Sequence, residues 1–220
     1  MGNGNTAIGY SSLHRNTTGS YNTALGFNST NYNNLDNTTS IGFGASVTSS
    51  NQVRIGNNAI NSIGGHVAWS TFSDGRVKKN IRTDVPGLAF INSLQPVTYN
   101  MDLDAIDELM KFEEPEIRDD DMEAPPPKSQ EMIEIERKAR EAKEKIVQTG
   151  FVAQDVEKAA KEAGYDFSGV DVDEIGIYSL RYAEFVVPLV KAVQELSEQN
   201  DRLKEQINEL NRRLEILENK

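Results

Sequence analysis

The chain has 220 residues, a net charge of −11 and no cysteine. The acidic surplus argues against nucleic acid as the main partner, because proteins that bind phosphates concentrate lysine and arginine. No apolar run reaches the roughly 20 residues that cross a bilayer, so membrane insertion is not expected. Without cysteine, a disulfide framework, a thiolate nucleophile and a cysteine-based metal site are excluded, and we expect neither a cofactor nor a metal site.

Charge is distributed very unevenly along the chain. Residues 1–72 carry only three charged side chains, Arg15, Asp36 and Arg54, so their net charge is +1. The remaining residues therefore carry −11 − 1 = −12. This shift predicts two modules, residues 1–72 and 73–220, each of which could bury only a modest core alone.

The first module consists of repeats. Thr-Ala-Ile-Gly at residues 6–9 returns as Thr-Ala-Leu-Gly at residues 23–26, and more loosely at residues 39–43 and 52–56. Each unit predicts a short strand with a small residue, one buried aliphatic side chain and a turning glycine. Such units must stack to bury their apolar faces. One aliphatic per unit is a thin core, so we expect several chains to share theirs around an axis. These aliphatic residues are Ile8, Leu25, Ile41 and Ile55.

At about residues 5–58, the repeats resemble the heads of trimeric autotransporter adhesins and the β-helical shafts of phage fibres. The resemblance implies a trimeric β-solenoid stem on a phage virion or a bacterial cell surface. A disordered polar linker is the alternative, because the segment is rich in Asn, Ser and Thr. The regular Ala-Ile-Gly-aromatic pattern favours the solenoid.

The charged half opens with Ser-Asp-Gly-Arg-Val-Lys-Lys-Asn-Ile at residues 73–81. A serine hydroxyl becomes a good nucleophile only when a neighbour takes its proton, and Lys78 is a candidate for that neighbour. Residues five apart share neither a strand face nor a helix face. Either the Asp74-Gly75 turn must therefore fold the segment back, or Lys78 must serve another protomer. An ordinary hairpin turn is the alternative reading of Asp-Gly.

The middle of the chain predicts a small domain with a long insertion. Residues 85–99 indicate a short helix that stops before a proline, followed by a strand. Residues 101–146 are interpreted as a solvated insertion, since residues 101–123 contain eleven acidic side chains and residues 131–145 predict a charged helix. A calcium loop is the alternative, but the carboxylates lack its alternating spacing and its glycine.

Core elements are expected to resume near residue 150. Gly-Phe-Val-Ala-Gln-Asp-Val at residues 150–156 predicts a strand that leads into a helix ending near Gly164. Another strand is expected around residues 176–178. These elements, with the helix and strand of residues 85–99, predict an α+β domain.

The last forty residues predict a coiled coil over residues 183–220. Apolar side chains recur every seven residues in two phases through five heptads, a period that makes helices supercoil with copies of themselves. Asn200 at a core position costs stability but fixes register and strand number. A long helix packed on its own domain is the alternative. The residues expected to hold a trimer together are Val193, Leu196, Asn200, Leu203, Ile207, Leu210, Leu214 and Leu217.

The Ser73 segment, the run at residues 150–156 and the C-terminal helix occur in an order that resembles the intramolecular chaperone auto-processing family. That family caps endosialidase tailspikes, other phage fibres and the myelin regulatory factor. The resemblance covers about residues 70–200, and it implies a self-cleaving serine endopeptidase with a Ser-Lys dyad. Carried over, cleavage falls between Phe72 and Ser73, with Ser73 as nucleophile and Lys78 as base.

Several neighbours are candidate contributors to this site. Arg76 and Lys79 are cations that could favour a neutral Lys78 in a crowded trimer interface. Gln154 could donate to an oxyanion as a buried amide, although packing is its alternative role. His66 could help to form the site, but a lone histidine in a Gly-rich stretch is usually a surface or packing residue. Asp74 and Asn80 complete the candidates.

The sequence thus predicts the end of a homotrimeric fibre or adhesin, an α+β protein with a trimeric β-solenoid stem, a chaperone domain and a trailing coiled coil. Its folding client is its own N-terminal stem. One rival is a trimerisation cap that does not cleave. Another is a receptor-binding tip whose partner is a host-surface glycan, which requires a row of exposed aromatic rings. The candidates for that row are Tyr10, Tyr21, Phe27 and Tyr32.

Overall fold

The computed structural model describes residues 2–31, 34–110 and 129–219, and its contacts divide the chain into two compact units. Within these ranges, no helix is both long and apolar enough to cross a membrane. The strands are β1 (Thr6–Ile8), β2 (Thr23–Leu25), β3 (Thr30–Asn31), β4 (Thr39–Ile41), β5 (Ser46–Val47), β6 (Val53–Ile55), β7 (Val97–Tyr99), β8 (Gln148–Gly150), β9 (Val170–Val172) and β10 (Tyr178–Leu180). The helices are α1 (Leu88–Ile91), α2 (Leu103–Leu109), α3 (Gln130–Glu144), α4 (Ala153–Glu162) and α5 (Val186–Glu218).

The first unit comprises Met1–Trp69, Thr98–Thr149 and Val172–Ile177. Its repeats pair as parallel strands in the order β1-β2-β4-β6. The aliphatic residue of each repeat lies beside that of the next, so Ile8 pairs with Leu25, Leu25 with Ile41, and Ile41 with Ile55. A second parallel pair joins β3 to β5. Consecutive repeats therefore stack with one register, as the repeated sequence predicts.

The glycine of each repeat is required by this stacking. Gly9, Gly26 and Gly42 have φ values of +126°, +132° and +110°, a region that side chains with a Cβ rarely adopt. A Cβ on Gly9 would lie 2.4 Å from the carbonyl oxygen of Gly26. The Gly26 N–H in turn donates to the carbonyl of Ile8 at 2.8 Å. The glycines thus form a column in which the backbones of consecutive repeats are in direct contact.

The structure corrects the expectation that each repeat buries its aliphatic residue. Ile8 is 60% exposed and Leu25 45% exposed, whereas Ala24 and Ser40 are buried. Strand side chains alternate between two faces, and in β2 and β4 the small central residue points into the interior of the stack. The large aliphatic residues point outward, where within one chain nothing covers them fully.

A buried asparagine ties neighbouring repeats together inside the stack. Asn22 is completely buried, and its amide nitrogen donates to the carbonyl of Leu35 at 2.7 Å. Its side-chain oxygen accepts from the backbone N–H of Thr38 at 3.0 Å and from the Thr38 hydroxyl at 2.6 Å. Because these groups satisfy one another, a polar interior is tolerated here.

The remainder of the first unit includes α2, α3 and the loop between β9 and β10. Arg140 of α3 forms ion pairs with Asp104 at 2.7 Å and Asp107 at 2.8 Å on α2, while Leu103 is fully buried. Strand β7 pairs with β8. The acidic part of the expected insertion falls largely on residues 111–128, which lie outside the described residues.

The second unit comprises Ser70–Val97, Gly150–Asp171 and Tyr178–Lys220. Its core joins α1, α4 and the segment before α5 around aromatic side chains, with Phe167 ring centroids 5.0 Å from Phe90 and 4.8 Å from Phe185. Val156 and Ala160 present the buried face of α4. The short helix before Pro96 and the helix of residues 153–162 are therefore confirmed.

Helix α5 spans 33 residues, which corresponds to about 50 Å. Near its start it packs against α1, where Ala192 is buried and a Cβ on Gly87 would lie 2.8 Å from the Ala192 nitrogen. Glu195 also contacts α1, because its carboxylate accepts from the Leu88 N–H at 2.7 Å. The described side chains of α5 that are buried all lie in this first part, which anchors the helix to its own unit.

Candidate active site at the Ser73 turn

Residues 73–78 form a tight turn, and the side chain of Ser73 at its start contacts that of Lys78 at its end. Gly75–Val77 is a single 3₁₀ turn with Asp74 at its N-cap, and the Asp74 carboxylate accepts from the backbone N–H of Arg76 at 2.9 Å. Aspartate favours such positions because its side chain satisfies an otherwise free backbone donor. The Lys78 N–H donates to the carbonyl of Gly75 at 3.2 Å, so the chain reverses between Ser73 and Lys78.

This reversal brings the two predicted catalytic side chains together. The Lys78 Nζ donates to the Ser73 Oγ at 2.8 Å, a distance that allows proton transfer between them. The Asp74-Gly75 turn is thus sufficient to bring Ser73 and Lys78 together within one chain. Both side chains are exposed to water within one chain.

Arg76 binds Asp74 rather than standing free beside Lys78. Its Nε lies 3.1 Å and 3.0 Å from the two carboxylate oxygens, and its Nη2 lies 2.5 Å from Oδ2. These hydrogen bonds hold the pKa of the Asp74 carboxyl below its usual range and raise the pKa of the Arg76 guanidinium. The expected role of Arg76 as a cationic neighbour of Lys78 is thus replaced by an ion pair inside the turn.

The apolar side chains of this segment are uncovered. Phe72, which precedes the predicted cleavage point, is 80% exposed, and Val77 and Ile81 are exposed as well. Burial of such side chains contributes roughly 1.5–3 kcal/mol each. Within one chain the site is therefore exposed to water. The apolar surface around it is energetically unfavourable to leave uncovered.

The other candidate contributors lie in different settings. Gln154 is exposed on α4, so the expectation of a buried oxyanion donor is wrong; the buried face of that helix begins at Val156. Asn80 is exposed and takes a left-handed conformation, with φ +53°. His66 is exposed and belongs to the first unit. Among the described residues, no hydrogen bond joins Gln154, Asn80 or His66 to the Ser73–Lys78 pair.

The heptad face of α5 is exposed along its length. The packed side of the helix carries Ala192, and beyond residue 196 the apolar heptad positions are between 54% and 65% exposed. A long helix packed on its own domain, the alternative to a coiled coil, describes only the first turns. The exposed heptad residues are Val186, Leu189, Val193, Leu196, Asn200, Leu203, Ile207, Leu210, Leu214 and Leu217.

A contact that the sequence did not predict joins a loop late in the chain to the last repeat. The Asp173 carboxylate accepts from the Thr48 hydroxyl at 2.6 Å, and the Glu174 carboxylate accepts from the Ser50 N–H at 2.9 Å. The Glu174 N–H donates to the Ser49 hydroxyl at 2.7 Å. Partners 124 and 125 residues apart leave no local pattern, so no sequence signal pointed to this contact.

Three aromatic rings form a column on the repeats. Tyr10 stacks on Phe27 with centroids 5.7 Å apart, and Phe27 stacks on Phe43 at 5.8 Å. All three are partly exposed. Tyr21 is exposed but does not belong to this column, and Tyr32 lies outside the described residues. Within the described residues, no group of three acidic or histidine side chains could hold a metal ion.

No family model, curated protein or solved structure matches this chain.

Proposed function

We propose that this chain is a C-terminal intramolecular chaperone that trimerises and folds a fibre or adhesin stem, then releases itself by cleavage between Phe72 and Ser73. The observation that carries this proposal is the 2.8 Å hydrogen bond between Lys78 Nζ and Ser73 Oγ. A serine and a lysine in contact are the minimum that a Ser-Lys dyad needs.

The reaction acts on the chain itself. A neutral Lys78 takes the proton of Ser73 Oγ while that oxygen attacks the carbonyl carbon of Phe72. The bond from the Phe72 carbonyl to the Ser73 nitrogen then breaks, and this amine receives the proton from Lys78. Water hydrolyses the ester that remains, which yields a Phe72 carboxylate and restores the Ser73 hydroxyl. Each catalytic group acts once, because the cut separates the two parts.

Assembly supplies what one chain lacks. Three copies would cover the heptad face of α5, the outward aliphatic residues of the repeats, and Phe72 with its apolar neighbours. Desolvation disfavours the charged form of a lysine, so a crowded interface would favour the neutral amine that the reaction needs. Cleavage would therefore depend on assembly, and unassembled chains would stay intact.

The chaperone role follows from the order in which such parts fold. Pairing of polar strands from three chains is slow because most of its contacts are non-local. A coiled coil forms early from local contacts and raises the effective concentration of the attached stems. The loop at Asp173 and Glu174 would meanwhile hold the last repeat in its folded form. After release, an opened stem could not easily refold, and the fibre would be kinetically trapped.

Denaturing gel electrophoresis of freshly made protein tests this proposal. Wild-type chain should yield two fragments of 72 and 220 − 72 = 148 residues. Ser73→Ala and Lys78→Met should each leave one band, while Arg82→Gln, which changes an exposed cation outside the turn, should still yield two. An intact wild-type band at every concentration and pH would refute self-cleavage and favour a permanent trimerisation cap.

The aromatic column favours a second candidate function. Tyr10, Phe27 and Phe43 form a continuous, partly exposed aromatic row along the repeats, and such a row is the feature that a glycan-binding stem requires. Glycan-array binding by the wild-type trimer, lost in Phe27→Ala with assembly unchanged, would support it. The absence of binding to any glycan would reject it.

A further inference from the structure

We propose that Arg76 is a positioning residue for self-cleavage, which holds the Asp74 carboxylate away from Lys78 so that the amine remains available to Ser73. This inference rests on the proposed function. It assigns a role to the ion pair inside the turn, which the reaction itself does not use.

The turn contains a carboxylate that could inactivate the base. Asp74 lies four residues before Lys78, on the short turn that brings Lys78 back to Ser73. A carboxylate within about 4–6 Å of an ammonium stabilises the protonated form. It would also compete with Ser73 Oγ for the Lys78 Nζ. A serine-lysine pair next to a free aspartate would therefore be a poor catalyst.

In the structure, several contacts with one side chain occupy the Asp74 carboxylate. Both oxygens of Asp74 accept from the Arg76 guanidinium at 2.5–3.1 Å, and Oδ1 also accepts from the Arg76 backbone N–H. Within the described part of the chain, Ser73 is the hydrogen-bond partner of the Lys78 side chain, which forms no ion pair there. The other charged groups of the segment are Lys79 and an Arg82–Asp84 pair at 3.3 Å.

Arginine suits this task better than lysine would. A lysine base needs a pH at which ammonium groups begin to lose protons, and a second lysine paired with Asp74 would titrate over the same range. A guanidinium stays charged there, and the Asp74 carboxylate raises the pKa of Arg76 further. Its planar fork also engages both carboxylate oxygens at once, which a single ammonium cannot do in the same geometry.

The test follows the pH dependence of cleavage in the full chain. Arg76→Gln should slow cleavage about fivefold to tenfold at neutral pH, because the freed carboxylate stabilises the protonated lysine, and the rate should recover at higher pH. The double variant Asp74→Asn with Arg76→Gln should regain the wild-type profile, since an asparagine side chain can still cap the turn but carries no charge. Arg82→Gln, which breaks a similar exposed pair outside the turn, is the matched control and should behave as wild type.

Three results would overturn the inference. The first is an Arg76→Gln profile identical to that of the wild type. The second is an Arg76→Gln shift that the double variant shares in full, because the effect would then come from the turn rather than from its charge. The third is an equal shift in Arg82→Gln, which would indicate a general loss of positive charge. A wild-type chain that never cleaves would instead refute the proposed function, and this inference with it.

Discussion

The Glu195 carboxylate on α5 accepts a hydrogen bond from the backbone N–H of Leu88 at 2.7 Å, so one helix caps the first turn of another. The α1 helix has no side-chain cap of its own, because Gly87 stands at its N-cap. A negative charge at a helix N-terminus is favourable. Glu195 therefore attaches the start of α1 to the N-terminal part of α5.

Glu195→Ala should destabilise the second unit by about 1–2 kcal/mol, since it leaves the Leu88 N–H without its cap. Thermal unfolding of the Ser73→Ala chain measures this in intact protein. Glu198→Ala, an exposed glutamate one turn further along α5, is the control and should change stability little. Equal effects of the two substitutions would mean that the Leu88 contact contributes nothing.

The glycine column predicts a strong and local sensitivity in the repeats. Gly26→Ala would place a Cβ 2.7 Å from the backbone of Gly42 at a φ of +132°, and the strain should cost about 2 kcal/mol or more. Gly64→Ala, where a Cβ meets nothing within 4 Å, should be nearly neutral. Denaturant unfolding of the two variants compares them directly, and similar midpoints would contradict the stacked arrangement.

The loop at Asp173 and Glu174 should protect the last repeat from opening. Glu174→Ala removes the acceptor of the Ser50 N–H, so amide hydrogen exchange at Ser50 should accelerate. Glu174→Gln keeps an acceptor oxygen and should retain part of the protection. Unchanged exchange at Ser50 in Glu174→Ala would show that the loop does not secure this repeat.

The heptad face of α5 should control both assembly and cleavage. In the proposed trimer, Leu203→Asp would bring like charges together at the centre of a coiled coil, so that assembly should dissociate and cleavage should fall at least about tenfold. Arg202→Asp adds the same side chain at the neighbouring outward position and should preserve both. Sedimentation and gel analysis of the same samples provide the measurement. Rapid cleavage by monomeric Leu203→Asp chains would reject the dependence on assembly.

Features that follow from local sequence patterns could be predicted, whereas features that depend on long-range packing could not. The repeated glycines and the heptads are local patterns, and the parallel register of the repeats and the helix Val186–Glu218 follow from them. The prediction that the aliphatic face of each strand points inward is wrong. Alternation is symmetric, and only the narrow interior of the stack decides that Ala24 is buried and Leu25 exposed.

The same contrast between local patterns and long-range contacts applies to the candidate site. Spacing alone left Lys78 on either its own chain or a neighbour, and within one chain a 3₁₀ turn that Asp74 caps brings it to Ser73. The pairing of Arg76 with Asp74 depends on side-chain rotamers within that turn. The contacts from Asp173 and Glu174 to the last repeat depend on the fold of the whole first unit, so no local pattern could reveal them.

Intact-mass spectrometry of freshly assembled wild-type protein tests the central claim most directly, because it identifies the bond that breaks. The account predicts two masses, one for residues 1–72 ending in the Phe72 carboxylate and one for residues 73–220 beginning with the free amine of Ser73. Both should be replaced by the full-length mass in Ser73→Ala. A wild-type trimer with only the full-length mass, or a C-terminal fragment that begins at any residue other than Ser73, would contradict it.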